Sequence, residues 1–101
     1  MNEKLSCPCC GYKTLDEIGE WEICSVCWWE DDGQDNQDAD KVKGGPNGTL
    51  SLTQARINFI NHGISSPSRK DLKPGSFKEY KRGRIFVLDG VGNLVEKAQD
   101  S

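Results

Sequence analysis

The sequence predicts a small single domain of the α+β class, with two cysteine knuckles joined by a hairpin, one capped helix and a C-terminal β-hairpin. Three features carry this prediction: two matched cysteine pairs, a loop-like stretch that leads into a helix signal, and two short apolar runs near the end. With 101 residues, of which 35% are hydrophobic, the chain can build only one modest core. Within one domain over 1–101 we expect a metal lobe at 5–30, a loop at 31–50, a helix at 51–63 and a variable basic part at 64–101.

Four of the five cysteines have the spacing of metal ligands. Cys7 pairs with Cys10 and Cys24 with Cys27, and thirteen residues separate the two pairs. Two such pairs can close a tetrahedral four-thiolate site, for which zinc is the expected ion and iron the less favoured alternative. Four thiolates leave no open coordination position for a water molecule, so we expect a structural site and no enzymatic activity.

The two knuckles differ in the residue that follows them. Gly11 can take the positive φ that ends the first turn, whereas the second knuckle must accommodate the bulky Trp28. Cys9 is the spare cysteine, and we interpret it as a packing residue. The alternative is a thiol or redox-active enzyme in which Cys9 is the nucleophile and His62 its base.

Between the knuckles, apolar and polar residues roughly alternate at 12–16 and 20–24, with a turn at 17–19. This period predicts two short strands that pair as a hairpin. The lobe would then run knuckle, hairpin, knuckle, which is the arrangement of a zinc ribbon.

A capped helix follows the loop-like residues 30–48. Ser51 and Gln54 form a capping box, which predicts a helix from Leu52 to His62, and Gly63 supplies a left-handed C-cap. At about 100° per residue an apolar stripe faces the core, formed by Leu52, Ala55, Phe59 and Ile60.

The C-terminal third carries weaker signals. Residues 64–83 contain Pro, Gly and many charges and are predicted to be irregular, with one helical turn near 76–81. A strand at 85–88 and a returning strand at 94–95 would form a hairpin, and the tail at 98–101 is expected to be loose.

Charge is distributed unevenly around the net value of −3. Residues 14–40 hold ten acidic residues and no Lys or Arg, whereas residues 56–84 hold eight basic and two acidic ones. An acidic metal lobe argues against nucleic-acid binding through the knuckles and favours a basic protein partner. The alternative is a nucleic-acid-binding zinc ribbon that uses the basic residues 69–84.

The sequence also indicates where the chain acts. We find no segment of transmembrane length and no signal peptide in the first residues, so no membrane association is expected. Cysteines at metal spacing fit a reducing compartment, and we therefore expect a cytoplasmic location. No small-molecule substrate is evident.

A candidate partner-binding segment follows the second knuckle. It combines an aromatic residue of the kind enriched at binding hot spots with an acidic loop, in Trp29, Glu30, Asp31 and Asp32. Because neighbouring side chains of an extended chain face opposite ways, one of Trp28 and Trp29 would pack inward while the other faces a partner.

Several motifs together resemble the bacterial cysteine-rich CPCC family. They are Cys7-Pro8-Cys9-Cys10-Gly11-Tyr12, Cys24-Ser25-Val26-Cys27-Trp28-Trp29-Glu30-Asp31-Asp32-Gly33-Gln34, Gly44-Gly45-Pro46-Asn47, and Ser51-Leu52 with Gln54-Ala55-Arg56 and Asn58-Phe59. The resemblance spans about residues 5 to 63 and implies a small metal-binding protein. It further suggests an immunity protein that neutralises a polymorphic toxin, which would be the basic partner.

Overall fold

Each cysteine knuckle lies at the tip of its own short antiparallel pair of chain segments. The computed structural model describes residues 4–97, so the tail at 98–101 lies outside the described residues. In the first pair, strand β1 (Leu5–Ser6) is antiparallel to strand β2 (Lys13–Leu15), with Leu5 opposite Leu15. In the second pair, residues 21–24 run against residues 29–31, joined by hydrogen bonds such as the one from the Trp21 amide to the Asp31 carbonyl.

The predicted pairing of 12–16 with 20–24 is therefore wrong. β2 pairs with β1, which precedes it in the chain. The segment at 20–24 forms no regular strand but makes an isolated bridge from Ile23 to Glu30. The reason lies in the knuckles themselves, because each turn brings its two flanks together. The Cys7 amide donates to the Tyr12 carbonyl and the Cys24 amide donates to the Trp29 carbonyl.

Helix α1 spans Leu52–His62, as the sequence predicts. The Ser51 hydroxyl accepts from the Gln54 amide, and Gly63 ends the helix with φ 79°. The reciprocal half of the predicted capping box is wrong, since the Gln54 side chain donates to Asn58 instead. Two short 3-10 turns, Asn36–Asp38 and Gly45–Asn47, interrupt the loop before the helix.

The C-terminal hairpin is also present. Strand β3 (Ile85–Leu88) pairs in antiparallel register with strand β4 (Leu94–Lys97), which is two residues longer than predicted. Between α1 and β3 the chain is irregular, as expected. The helical turn predicted near 76–81 is a single hydrogen-bonded turn from Phe77 to Tyr80.

The core forms around the knuckles rather than around a sheet. Its buried members are the five cysteines together with Leu15, Val26, Trp29, Ala39, Leu52 and Ala55. Between residues 4 and 97, one helix and two small antiparallel sheets confirm the predicted α+β class. Between residues 4 and 97 the structure contains no helix with the length and apolar character needed to cross a bilayer.

Candidate metal centre

The four paired cysteines converge on one point. The Sγ atoms of Cys7, Cys10, Cys24 and Cys27 all lie within 4.8 Å of one another, and each of these residues is 0% exposed. The Sγ–Sγ distance is 3.7 Å from Cys7 to Cys27 and also from Cys10 to Cys24. Metal–sulfur bonds of about 2.3 Å in tetrahedral geometry require sulfurs about 3.8 Å apart. The cluster therefore fits a tetrahedral metal ion, with one knuckle supplying each pair of ligands.

The two knuckles share one pattern of backbone hydrogen bonds. The Gly11 amide donates to the Cys7 carbonyl at 2.8 Å, and the Trp28 amide donates to the Cys24 carbonyl at 2.9 Å. The Cys9 amide lies 3.4 Å from the Cys7 Sγ, and the Val26 amide lies 3.4 Å from the Cys24 Sγ. Amide donors of this kind stabilise thiolates and hold them in place for a cation.

Both knuckles end in a left-handed residue. Gly11 has φ 86° and Trp28 has φ 69°, so the tryptophan adopts the conformation that glycine provides in the first knuckle. The Trp28 indole Nε1 donates to the Lys73 carbonyl at 2.5 Å, which ties the ring to the C-terminal part. The sequence predicts that a bulky residue after the second knuckle is unfavourable there. The structure accommodates Trp28 at this point, at the cost of a strained backbone conformation.

Additional donors come from outside the knuckles. The Thr14 hydroxyl donates to the Cys24 Sγ at 3.1 Å, and the buried Arg56 donates through Nε to the Pro8 carbonyl at 2.7 Å. Sequence analysis missed both residues. Thr14 lies in a strand pattern with no metal signal, and a charged residue within a helix is usually expected to face solvent.

The thiols of the cluster have divergent acidities. Burial raises the pKa of the Cys7 and Cys27 thiols well above the usual range, and hydrogen bonding to Cys24 raises the pKa of Cys10. Hydrogen bonds from Cys10 and the other cysteines lower the pKa of Cys24. A bound cation would supply the positive charge that lets all four thiols lose their protons.

Cys9 occupies the same place in the first knuckle as Val26 does in the second. Both are buried in the core cluster, and neither belongs to the group of four converging ligands. The predicted packing position is consistent with this burial. His62, the base of the alternative enzyme reading, is exposed at the end of α1.

Two of the four predicted partner-binding residues lie inside the molecule. Trp29 and Asp31 are both 0% exposed, so this structure offers neither side chain at its surface. Trp29 packs in the core, and the Asp31 carboxylate accepts from the Gly19 amide at 2.6 Å. Glu30 and Asp32 are half-buried and both contact Asn47. The Asn47 side-chain amide donates to the Glu30 carbonyl and to the Asp32 carboxylate.

Comparison with known protein families gives a match that covers both knuckles. The model of the family described as cysteine-rich CPCC matches residues 5–76, which is more than half of the chain. The chain belongs to the cysteine-rich CPCC family. The match includes both knuckles and the whole of α1, and it reaches further along the chain than the resemblance in the sequence suggests. No curated protein and no solved structure matches the chain.

Proposed function

We propose that this CPCC protein binds zinc in a closed structural site and acts by binding another protein. The observation that supports the first part is the set of four buried sulfurs within 4.8 Å of one another, two pairs of which lie 3.7 Å apart, close to the tetrahedral spacing. All four positions around the ion are taken by protein, so the ion would stabilise the fold and would not activate water. Zinc is favoured over iron because two C-x-x-C pairs that close a four-cysteine site are typical of structural zinc sites.

Elemental analysis of protein purified without added metal tests the zinc site. We expect about one zinc per chain and at most one reactive thiol in the folded protein, that of Cys9, which lies outside the site but is also buried. A result of one iron per chain would indicate a redox centre in place of a structural zinc site. A folded protein with no metal, in which all five thiols react, would overturn the site altogether.

Large hydrophobic side chains at the surface support the protein-binding part of the proposal. Trp21 is 54% exposed and Ile23 is 56% exposed, although tryptophan and isoleucine are usually largely buried. The acidic stretch over 14–40 would complement a basic partner. In the immunity version of the proposal, that partner is a toxin encoded beside this protein.

Co-expression with the product of the neighbouring gene tests the immunity version. We expect a tight complex that weakens as salt is raised, because exposed charges are screened at higher ionic strength. Absence of any association between the two purified products would rule out this version. The zinc site would be unaffected by that result.

The pairing of Cys9 with Val26 gives a test of the alternative thiol enzyme. Cys9→Val should keep one metal ion per chain and should change the unfolding free energy by less than about 1.5 kcal/mol, because valine is of similar size and already fills the matching place. Cys9→Ser should be less stable, since it buries a hydroxyl. An activity that both variants lose while they retain metal would instead favour the enzyme.

A second candidate function has one observation in its favour. Phe77 is exposed, its ring lies 5.3 Å from the ring of Tyr12, and the Arg82 guanidinium lies 5.1 Å from the Tyr12 ring. Aromatic and basic groups in this arrangement can stack on the bases of single-stranded nucleic acid. Binding of an oligonucleotide that weakens steeply with salt and that is lost in Phe77→Ala would support it.

A further inference from the structure

The loop between the two knuckles, residues 16–23, carries three exposed large apolar side chains. We call it the inter-knuckle loop. Ile18 is 50% exposed, Trp21 is 54% exposed and Ile23 is 56% exposed. The buried residues Leu15 and Cys24 flank the loop on either side. Three large apolar groups within eight residues are more than the scattered single exposures that a protein surface normally shows.

The loop is held in one conformation by buried and half-buried acids. The Asp31 carboxylate accepts from the Gly19 amide at 2.6 Å, while the Asp31 carbonyl accepts from the Trp21 amide at 2.9 Å. The Glu22 carboxylate accepts from the amides of residues 16 and 17 at 3.0 Å and 2.8 Å. A surface fixed in this way loses less conformational entropy on binding than a flexible loop does.

Trp21 is also held in an unfavourable backbone conformation. Its φ is 64°, a value that is uncommon for a bulky residue and that costs roughly 1 kcal/mol or more. Trp28 shows similar strain, but its conformation closes a metal knuckle. Trp21 lies outside the core cluster, so core packing does not explain why a tryptophan occupies this position.

The charge around these apolar groups is mostly negative. Glu17 and Glu20 are exposed, and Asp16 forms a 2.6 Å ion pair with Lys4. Neither Lys nor Arg occurs in the sequence between residues 14 and 40. Such a surface would be repelled by anionic lipid and by nucleic acid, and it attracts cationic side chains.

We infer that the inter-knuckle loop is the partner-binding surface, and that its partner is a protein with an apolar pocket edged by Lys or Arg. Trp21 would fill the pocket, with Ile18 and Ile23 beside it, while Glu17 and Glu20 meet the basic edge. This inference rests on the proposed protein-binding function and names the site that performs it. It also gives Asp31 a positioning role, since that residue fixes the loop from within.

Two synthetic amphipathic helical peptides provide a direct test with the zinc-loaded protein. One is built from leucine and lysine, and the other from leucine and glutamate. We expect only the Leu/Lys peptide to bind, with amide NMR shifts concentrated at residues 16–23. Trp21→Ala should weaken its affinity roughly tenfold or more, as for a central aromatic anchor. Equal binding of the two peptides, or shifts centred elsewhere, would overturn the inference.

Matched variants separate the loop from general effects. Phe77→Ala removes an aromatic side chain of nearly equal exposure from another part of the surface and should leave the affinity unchanged. Ile18→Ser provides a second loop variant that avoids the strained position and should also weaken binding. Metal content and the amide spectrum of each variant show whether it is folded. If Phe77→Ala weakens binding as much as Trp21→Ala, the loop is not the site.

Capture of partners from the source cells distinguishes failure of the inference from failure of the proposed function. A partner that is held by wild type and Phe77→Ala, but lost from Trp21→Ala, supports both. A partner held equally by all three forms would leave protein binding in place and reject the loop as its site. A wild-type protein that captures no partner under cross-linking would reject the protein-binding function, and the inference with it.

Discussion

At the residue scale, the first knuckle depends on the missing side chain of Gly11. A Cβ atom at this position would lie 1.9 Å from the Arg84 carbonyl oxygen, and φ is 86°. The Gly11 carbonyl in turn accepts from the amides of Gly83 and Arg84 at 2.7 Å and 3.0 Å. The backbone of the C-terminal part therefore lies directly against the knuckle, in space that any side chain would close.

Gly92 offers a matched control for this close approach. Its φ is 88°, but a Cβ atom there would meet nothing within 4 Å. Gly92→Ala should cost about 1 kcal/mol for the left-handed conformation alone. Gly11→Ala should cost roughly 1–3 kcal/mol more, because the backbone must also move. Urea unfolding of the zinc-loaded proteins measures the difference, and equal losses in the two variants would contradict the packing argument.

At the scale of elements, the two hydrogen bonds of the predicted capping box at the start of α1 can be tested separately. The Ser51 hydroxyl caps the Gln54 amide, whereas the Gln54 side chain bonds Asn58 within the helix. Ser51→Ala should therefore cost about 1 kcal/mol, and Gln54→Ala only a few tenths. Thermal unfolding of both variants is the measurement. A loss at Gln54→Ala as large as at Ser51→Ala would restore the reciprocal capping box.

The elements that the sequence predicts correctly are those with local signals. The spacing of four cysteines indicates a shared site, and Ser51 and Gly63 mark both ends of α1. The partner of β2 could not be predicted, because Leu5–Ser6 is too short to show a period of two. A local pattern also cannot predict that Arg56 is buried, because its partners Pro8 and Asp35 are distant in sequence.

At the scale of the whole molecule, ion pairs connect the C-terminal hairpin to the loop and the helix. Arg84 donates to Asp35 at 2.9 Å and to Glu96 at 2.8 Å, and its guanidinium lies 5.0 Å from the Phe86 ring. Arg56 lies 4.1 Å from the same ring and also contacts Asp35. The network thus holds β3 and β4 against the part of the chain that surrounds the metal site.

Glu96 gives this network a defined pH dependence. Its hydrogen bond from Arg84 lowers the pKa of Glu96 from 4.5 to about 2. A carboxyl with a lowered pKa stabilises the folded protein above pH 4.5 and loses that contribution as the pH falls toward 2. Glu96→Gln should therefore cost about 1 kcal/mol or less at pH 7, since the pair is partly exposed.

Measurements at pH 7, pH 5.5 and pH 4 separate this contribution from the metal site. The difference between wild type and Glu96→Gln in urea unfolding should be the same at the two higher pH values and, in protein that still holds its metal, smaller at pH 4. Any stability that both proteins lose between pH 7 and pH 5.5 would come from protonation of the thiolates and release of metal. A difference that already shrinks above pH 5.5 would contradict the role given to Glu96.

Metal removal tests how far the whole molecule depends on its centre. The cysteines share one core with Leu52 and Ala55 of α1, and the Val26 carbonyl accepts from the Gly75 amide at 2.9 Å. A structural zinc contributes on the order of 10 kcal/mol, comparable with the net stability of a domain. We therefore expect a chelator at neutral pH to unfold the described chain throughout, not only the predicted metal lobe, with recovery on adding zinc. Amide NMR dispersion reports this, with chelator presaturated with zinc as the control. Native-like signals from α1 and the C-terminal hairpin after complete metal loss would show instead that these elements fold without the knuckles.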